Sequence, residues 1–151
     1  MRYRQATHAD VQAMAAMRST NPETAAQWAG RIAGYMKAEH HPQKALLPRA
    51  LFVAETDGTV VGFIAGHLTL RFACEGELQW IDVVPAYQRK GVASALLRLL
   101  AAWFIEQKAY RICVNSGDDN RTAHAFYKAN AAVHLTRHWL VWNDAGIITA
   151  K

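Results

Sequence analysis

Apolar and polar positions along this chain follow two different periods, and each change of period marks an element. Leu51 to Thr56 and Thr59 to about Leu70 are rich in β-branched and apolar residues and meet at Asp57-Gly58. That dipeptide readily supplies the two positive-φ positions of a tight hairpin turn. In the second arm His67, Thr69 and Arg71 alternate with Leu68, Leu70 and Phe72, which predicts one face that is solvated or lines a groove. A further strand, Glu77 to Val84, pairs with the hairpin and breaks at Pro85. The period then lengthens: Val92, Leu96, Leu99, Leu100 and Trp103 recur every three or four residues, as on a helix that lays its apolar face on a sheet.

The flanking segments read in the same way. Arg2 to Gln5 is a short strand. Thr7 caps a helix carrying Val11, Met14 and Met17 or Arg18, with Asp10 in its first turn; both choices favour a helix start. Asn21-Pro22-Glu23 opens a second helix with Asn21 as cap and Pro22 at the first position, and Ala25, Trp28, Ile32 and Tyr35 or Met36 share one face. His40-His41-Pro42 ends it, and no third ligand is spaced to make those histidines a metal site. Beyond the long helix lie a strand (Tyr110 to Asn115), a turn (Ser116-Gly117-Asp118-Asp119), a helix from about Asn120 to Asn130, and one or two closing strands from Val133 to Trp142.

Composition narrows the class. With 151 residues, 52% of them hydrophobic, the chain is expected to form a single domain spanning 1–151 with a sizeable core. The amino terminus lacks an apolar signal region, and no apolar run approaches the roughly 18 residues needed to span a bilayer. Cys74 and Cys113 form no C-x-x-C pair, which suits a reducing cytoplasm. The net charge of +5 favours anionic partners. Its Lys and Arg residues are dispersed, without a basic run interleaved with aromatics, so nucleic acid is not the expected partner.

Candidate chemistry concentrates in Glu77 to Leu100: strand, short basic turn (Gln88, Arg89, Lys90, Gly91), helix. At such a junction unpaired backbone N–H groups converge on one point, and the helix dipole adds about half a positive charge, so a phosphate-bearing ligand is expected there. The turn is neither a Walker A loop nor a dinucleotide fingerprint, since Gly91 is its only glycine. It reads Q-x-x-G-x-A from Gln88 to Ala93, preceded by I-x-V-x-P at Ile81, Val83 and Pro85. On the later helix Asn120, Ala123 and Tyr127 are spaced as one stripe, with Phe126 expected to point towards the core, in the run N-x-x-A-x-x-F-Y.

These two segments, in this order, resemble the pyrophosphate loop and the following helix of the GCN5-related N-acetyltransferases, and the resemblance covers most of the chain. It implies an α+β, three-layer α/β/α fold. Its central sheet is mixed, mostly antiparallel and six to seven strands wide, flanked by about four helices and splayed at the central strand. It also implies an enzyme that moves the acetyl group of acetyl-CoA to a primary amine of a small molecule, or less readily of a peptide. Ile81 and Val83 would meet the pantetheine arm. Gln88, Arg89, Lys90, Gly91, Val92 and Ala93 would hold the pyrophosphate, and Asn120 would bond the arm. Tyr127 would act as general acid, a role its ordinary pKa near 10 permits.

Glu77 is the first candidate for general base, with Glu75, Asp82 and His67 as rivals. Trp28 and Tyr35 are candidates for acceptor contact, since the second helix walls the acceptor site in that family. Acidic residues near the site would suit a cationic amine. Two departures stand out: Ala131-Ala132 replaces the family's usual Gly-Phe, and Ala93 a glycine. The resemblance leaves a homodimer open, with Trp139 and Trp142 as candidate exposed surface. A non-catalytic domain that senses acyl-CoA is the alternative reading.

Overall fold

A computed structural model describes residues 1–117 and 120–150; the expected turn residues Asp118 and Asp119 lie outside them. Among the described residues seven strands form one sheet. They are β1 (Arg2–Gln5), β2 (Ala45–Thr56), β3 (Thr59–Thr69), β4 (Gly76–Val83), β5 (Ile112–Asn115), β6 (Val133–His134) and β7 (Trp139–Trp142). Their spatial order is β1-β2-β3-β4-β5-β7-β6. β4 and β5 run parallel, and every other neighbouring pair is antiparallel.

Helices α1 (Val11–Arg18) and α2 (Pro22–Met36) cover one face of the sheet. Met14, Ile32 and Tyr35 bury there against Phe63, Ala65 and Trp80. Helices α3 (Val92–Glu106), α4 (Arg121–Ala129) and the short α5 (Gly146–Thr149) cover the other face. Leu96, Leu100, Phe104 and Tyr127 pack there with Ile64, Leu78 and Trp142. The result is the expected three-layer α+β arrangement. Among the described residues no helix is long and apolar enough to cross a membrane.

Local chemistry explains the element boundaries. Asp57 and Gly58 take φ of 50° and 77° in the hairpin turn. Asp10 accepts the Thr7 N–H at 2.7 Å before α1, and Asn21 Oδ1 accepts the Thr24 N–H at 2.9 Å before α2. Each bond satisfies a donor that the first helical turn leaves unpaired.

Four expectations need correction. The polar positions of β3 are not solvated. His67 and Thr69 are buried: His67 Nδ1 pairs with the Tyr35 hydroxyl at 2.8 Å while its Nε2 has no hydrogen-bond partner, and Thr69 Oγ1 donates to Lys44 O at 3.2 Å. Leu70 and Phe72, beyond the strand end, are exposed instead. On α3 the buried stripe is Leu96, Leu97, Leu100, Ala101 and Phe104, whereas Leu99 and Trp103 are only half-buried. Trp142 offers no docking surface, being 1% exposed with its Nε1 donating to Asn130 O at 2.8 Å; Trp139 is half-buried against Phe72. On α4 the expected division is reversed: Tyr127 enters the core and Phe126 faces outward into a cleft. The Ala131-Ala132 departure leaves the closing strands paired, with Ala131 in the left-handed conformation (φ 76°) and Ala132 buried.

Candidate active site

The sheet opens beside β4. β4 and β5 pair only from Gly76 to Leu78, opposite Ile112 to Val114. At Gln79 the register with β3 slips by one residue, Gly66 facing Leu78 and Ala65 facing Trp80. Such a bulge bends and twists its strand, and beyond it β4 keeps β3 as its partner and leaves β5. The gap widens into a cleft of about 860 Å³ between β4, the start of α3 and α4.

Backbone groups of β4 and of the α3 start open into it. Val84 N–H donates to Val61 O at 2.9 Å. By the alternation of an antiparallel ladder, the N–H and C=O groups of Ile81 and Val83 then point away from β3, into the gap. Gln88 reaches back and donates from Nε2 to Val83 O at 2.9 Å, tying the loop to the strand. Gly91, with φ 84°, is the N-cap of α3 and supplies no side-chain partner. The first intrahelical bond of this turn is Ala95 N–H to Gly91 O at 3.0 Å, so the N–H groups of Val92, Ala93 and Ser94 have no partner in the helix. Arg89 is exposed at the same turn with φ 61°.

Of the residues expected to hold a cofactor, Ile81, Val83, Gln88, Arg89, Gly91, Ala93 and Asn120 all line this cleft. Lys90 turns its ammonium over the Tyr87 ring at 5.5 Å, and the Val92 side chain belongs to the core. Asn120 caps α4, its Oδ1 accepting the Ala123 N–H at 3.1 Å. Its amide nitrogen is thereby turned free of the cap.

The expected catalytic residues are less accessible. Tyr127 is 4% exposed and stands edge-on to Trp142, with ring centroids 5.8 Å apart. Burial pushes its phenol up from the ordinary value, and the nearby Asp82 charge adds to the shift, while Arg18 opposes it. Glu77 is not at a solvated strand start. It is 5% exposed, 3.1 Å from Arg71 Nε and 3.8 Å from His67 Nε2. Glu75 accepts the Tyr110 and Arg111 N–H groups at 2.8 and 3.1 Å, which holds the entry to β5. Asp82 alone among the four base candidates lines the cleft. Burial raises its pKa, and Arg18 Nη1, 2.6 Å from Oδ2, draws it back down.

Of the two acceptor-contact candidates, Tyr35 is fully buried. Trp28 is half-buried edge-on to Trp80 (5.7 Å), with the Arg18 and Arg31 guanidinium groups each 4.7 Å from its ring centroid. Arg18 is the residue that sequence reasoning missed. It lies 64 positions from Asp82, and no local pattern connects them.

An open mixed sheet whose split edge meets an uncapped helix start defines a protein built to receive an extended, phosphate-bearing ligand. The chain belongs to the GNAT acetyltransferase family, whose model matches residues 17–131. A search of curated proteins finds no match. Among solved structures it is similar to an N-acetyltransferase from Staphylococcus aureus Mu50 (TM-score 0.72, 16% identity, 95% of this chain and 98% of that one). It is also similar to the aminoglycoside 6'-N-acetyltransferase AAC(6')-Ig from Acinetobacter haemolyticus (0.71, 18%, 91% and 94%). A third is the PaiA N-acetyltransferase from Thermoplasma acidophilum, solved in complex with coenzyme A (0.68, 14%, 93% and 95%). At these identities the likeness is one of fold. Acetyl-CoA is the cosubstrate of the family, and the cleft fits it: free N–H groups and Arg89 for phosphate, and an open strand edge for the amide-bearing arm.

Proposed function

We propose that this protein transfers the acetyl group of acetyl-CoA to a primary amine of a small molecule. The observation that carries the reading is the convergence in one cleft of the open β4 edge, the uncapped start of α3 and the Asp82 carboxylate. The N–H groups of Val92 to Ser94, with Arg89, hold the pyrophosphate. Ile81 and Val83 pair with the pantetheine arm, and the Asn120 amide nitrogen donates to it. When bound, acetyl-CoA supplies an activated thioester carbonyl.

An ammonium must lose a proton before it can attack. Asp82 Oδ is the carboxylate on the cleft wall, and its burial makes it a better proton acceptor than an exposed aspartate. We assign it that role in preference to the enclosed Glu77. Tyr127 Oη carries its proton at neutral pH as any phenol does, and although burial makes it a weaker acid than an exposed tyrosine, it is the donor we assign to the departing sulfur. Both cysteines are free and buried, in keeping with a reducing cytoplasm.

A domain that binds acyl-CoA without turnover is favoured by one observation, the burial of Tyr127. Tyr127→Phe separates the two. On the catalytic reading it lowers CoA release in the presence of acceptor by about 10²–10⁴-fold and leaves the CoA-induced rise in unfolding midpoint intact. Binding of CoA with no turnover on any amine would instead establish the sensor.

A further inference from the structure

We propose that the acceptor amine carries a carboxylate, and that Arg18 and Arg31 hold that carboxylate beside the ring of Trp28. The inference rests on the acetyltransferase reading and specifies its acceptor.

The relevant surface is the sheet face beneath α1 and α2. Trp80 and Asp82 belong to it, because their β3 partners are Ala65 and Phe63, which pack with those helices. Asp82 also lines the cofactor cleft. A second substrate that reaches Asp82 from this face therefore arrives at the reacting end.

Acidic residues near the site offer little unshared charge to a cationic amine: Glu75 and Glu77 are engaged elsewhere, and Asp82, which meets the amine as proton acceptor, shares its charge with Arg18. Glu75 binds backbone N–H groups, Glu77 faces Arg71 at 3.1 Å, and Asp82 faces Arg18 at 2.6 Å. The arginines are not matched in the same way. Arg49 is anchored at the end of α2, where its Nη1 donates to Tyr35 O and His40 O at 2.9 and 2.6 Å, although its Nε, like that of Arg18, is buried without a partner. Arg31 is exposed and meets no carboxylate among the described residues; its guanidinium stands over Trp28 and is 5.8 Å from the Trp80 ring centroid. Arg18 uses Nη1 on Asp82, but its Nε is buried and has no hydrogen-bond partner.

Two guanidinium groups thus stand over one indole, one without a counter-ion and the other with an orphaned donor. An unmade buried N–H bond is costly, and a planar carboxylate matches the guanidinium fork. A carboxylate placed there meets the exposed quarter of the Arg18 side chain and neutralises Arg31, while the amine of the same molecule reaches Asp82. A purely cationic acceptor would meet two arginines with nothing to offer them.

The test uses the full chain with saturating CoA or acetyl-CoA and amine pairs that differ in the carboxylate: aminocaproate and hexylamine, γ-aminobutyrate and butylamine, lysine and cadaverine. Binding is read from indole fluorescence and turnover from CoA release. The expected result is a preference for the carboxylate member of about tenfold to a hundredfold, the worth of a charge-assisted hydrogen bond. Arg31→Gln should raise KM for that member and bring the ratio towards one, and Arg31→Lys should keep part of it. Equal use of both members, preference for the cationic one, an unchanged ratio in Arg31→Gln, or no binding of either member by a protein that binds CoA would each overturn the inference and leave the acetyltransferase reading standing. Failure of CoA itself to raise the unfolding midpoint would overturn that parent reading.

Discussion

Replacing Gly76 with alanine puts a methyl group where the sheet and α3 touch. A Cβ built on Gly76 would stand 2.5 Å from Phe104 Cε1, 2.7 Å from Phe104 Cδ1 and 2.8 Å from Ile112 Cδ1. Ordinary contact begins at 3.4 Å, so the closest approach is 0.9 Å too short. Phe104 and Ile112 are 1% and 2% exposed and have no free space to enter. Overpacking of this kind costs about 1–3 kcal/mol, against a gain of about 0.4–1 kcal/mol from a stiffer unfolded chain. The net loss is about 1–2 kcal/mol. For a chain of this length that lowers the thermal midpoint by roughly 2–8 °C.

Gly76 does not occupy the left-handed region, so the clash is the whole cause, and this makes the prediction specific. Phe104→Leu removes the ring carbons concerned. In urea unfolding, the double variant should be more stable than the sum of the two single effects by about 1 kcal/mol. A Gly76→Ala protein as stable as the parent, or a double variant at the simple sum, would refute the reasoning. The outcome bears on function, because α3 carries its uncapped first turn into the cleft and is seated by this contact at its far end.

Gly91→Ala meets no steric obstacle but forces a side chain to adopt φ 84°. It should cost about 1–2 kcal/mol of stability and weaken CoA binding, measured by calorimetric titration. Asp10 is held below the usual carboxylate range first by its bonds from Arg4 (2.7 and 2.9 Å) and also by the Thr7 N–H. A lowered native pKa means that its contribution is present above the unfolded value, near 4, and is lost as pH falls through the native one. Asp10→Asn should therefore cost about 2 kcal/mol at pH 7, with the gap from the parent protein closing below about pH 4 in urea midpoints. A gap independent of pH would exclude the ion pair as its source.

The parts of the structure legible in the sequence are those made by neighbours along the chain. Asp57-Gly58, Thr7 with Asp10, Asn21 with Pro22, and Asn120 each act within four residues, and each marks the boundary expected of it except Thr7, which caps a 3-10 turn (His8–Asp10) leading into α1, whose own cap is Asp10. The cofactor cleft belongs to this group. Its working parts are backbone N–H groups exposed by a glycine at a helix start, and Gln88 to Ser94 is a single local unit. Periodicity fared less well on α4: spacing placed Tyr127 and Phe126 on different stripes but could not say which stripe faces the core. That depends on Trp142, which holds Tyr127 edge-on from β7.

The proposed acceptor side is assembled from partners far apart in sequence, and it was correspondingly opaque. Asp82 and Arg18 are 64 positions apart, Tyr35 and His67 are 32 apart, and Trp28 meets Trp80 across two layers. An alternating polar residue such as His67 looks solvated until the helix carrying its partner is placed above it. The same division has a chemical sense. A grip made of main-chain groups depends on turn geometry and tolerates many side chains, so it suits the one ligand that the whole family shares. A pocket made of long-range side-chain pairs can be rewritten by single substitutions without disturbing that grip, which is the sense of the acceptor role we propose for Arg18, Trp28 and Arg31.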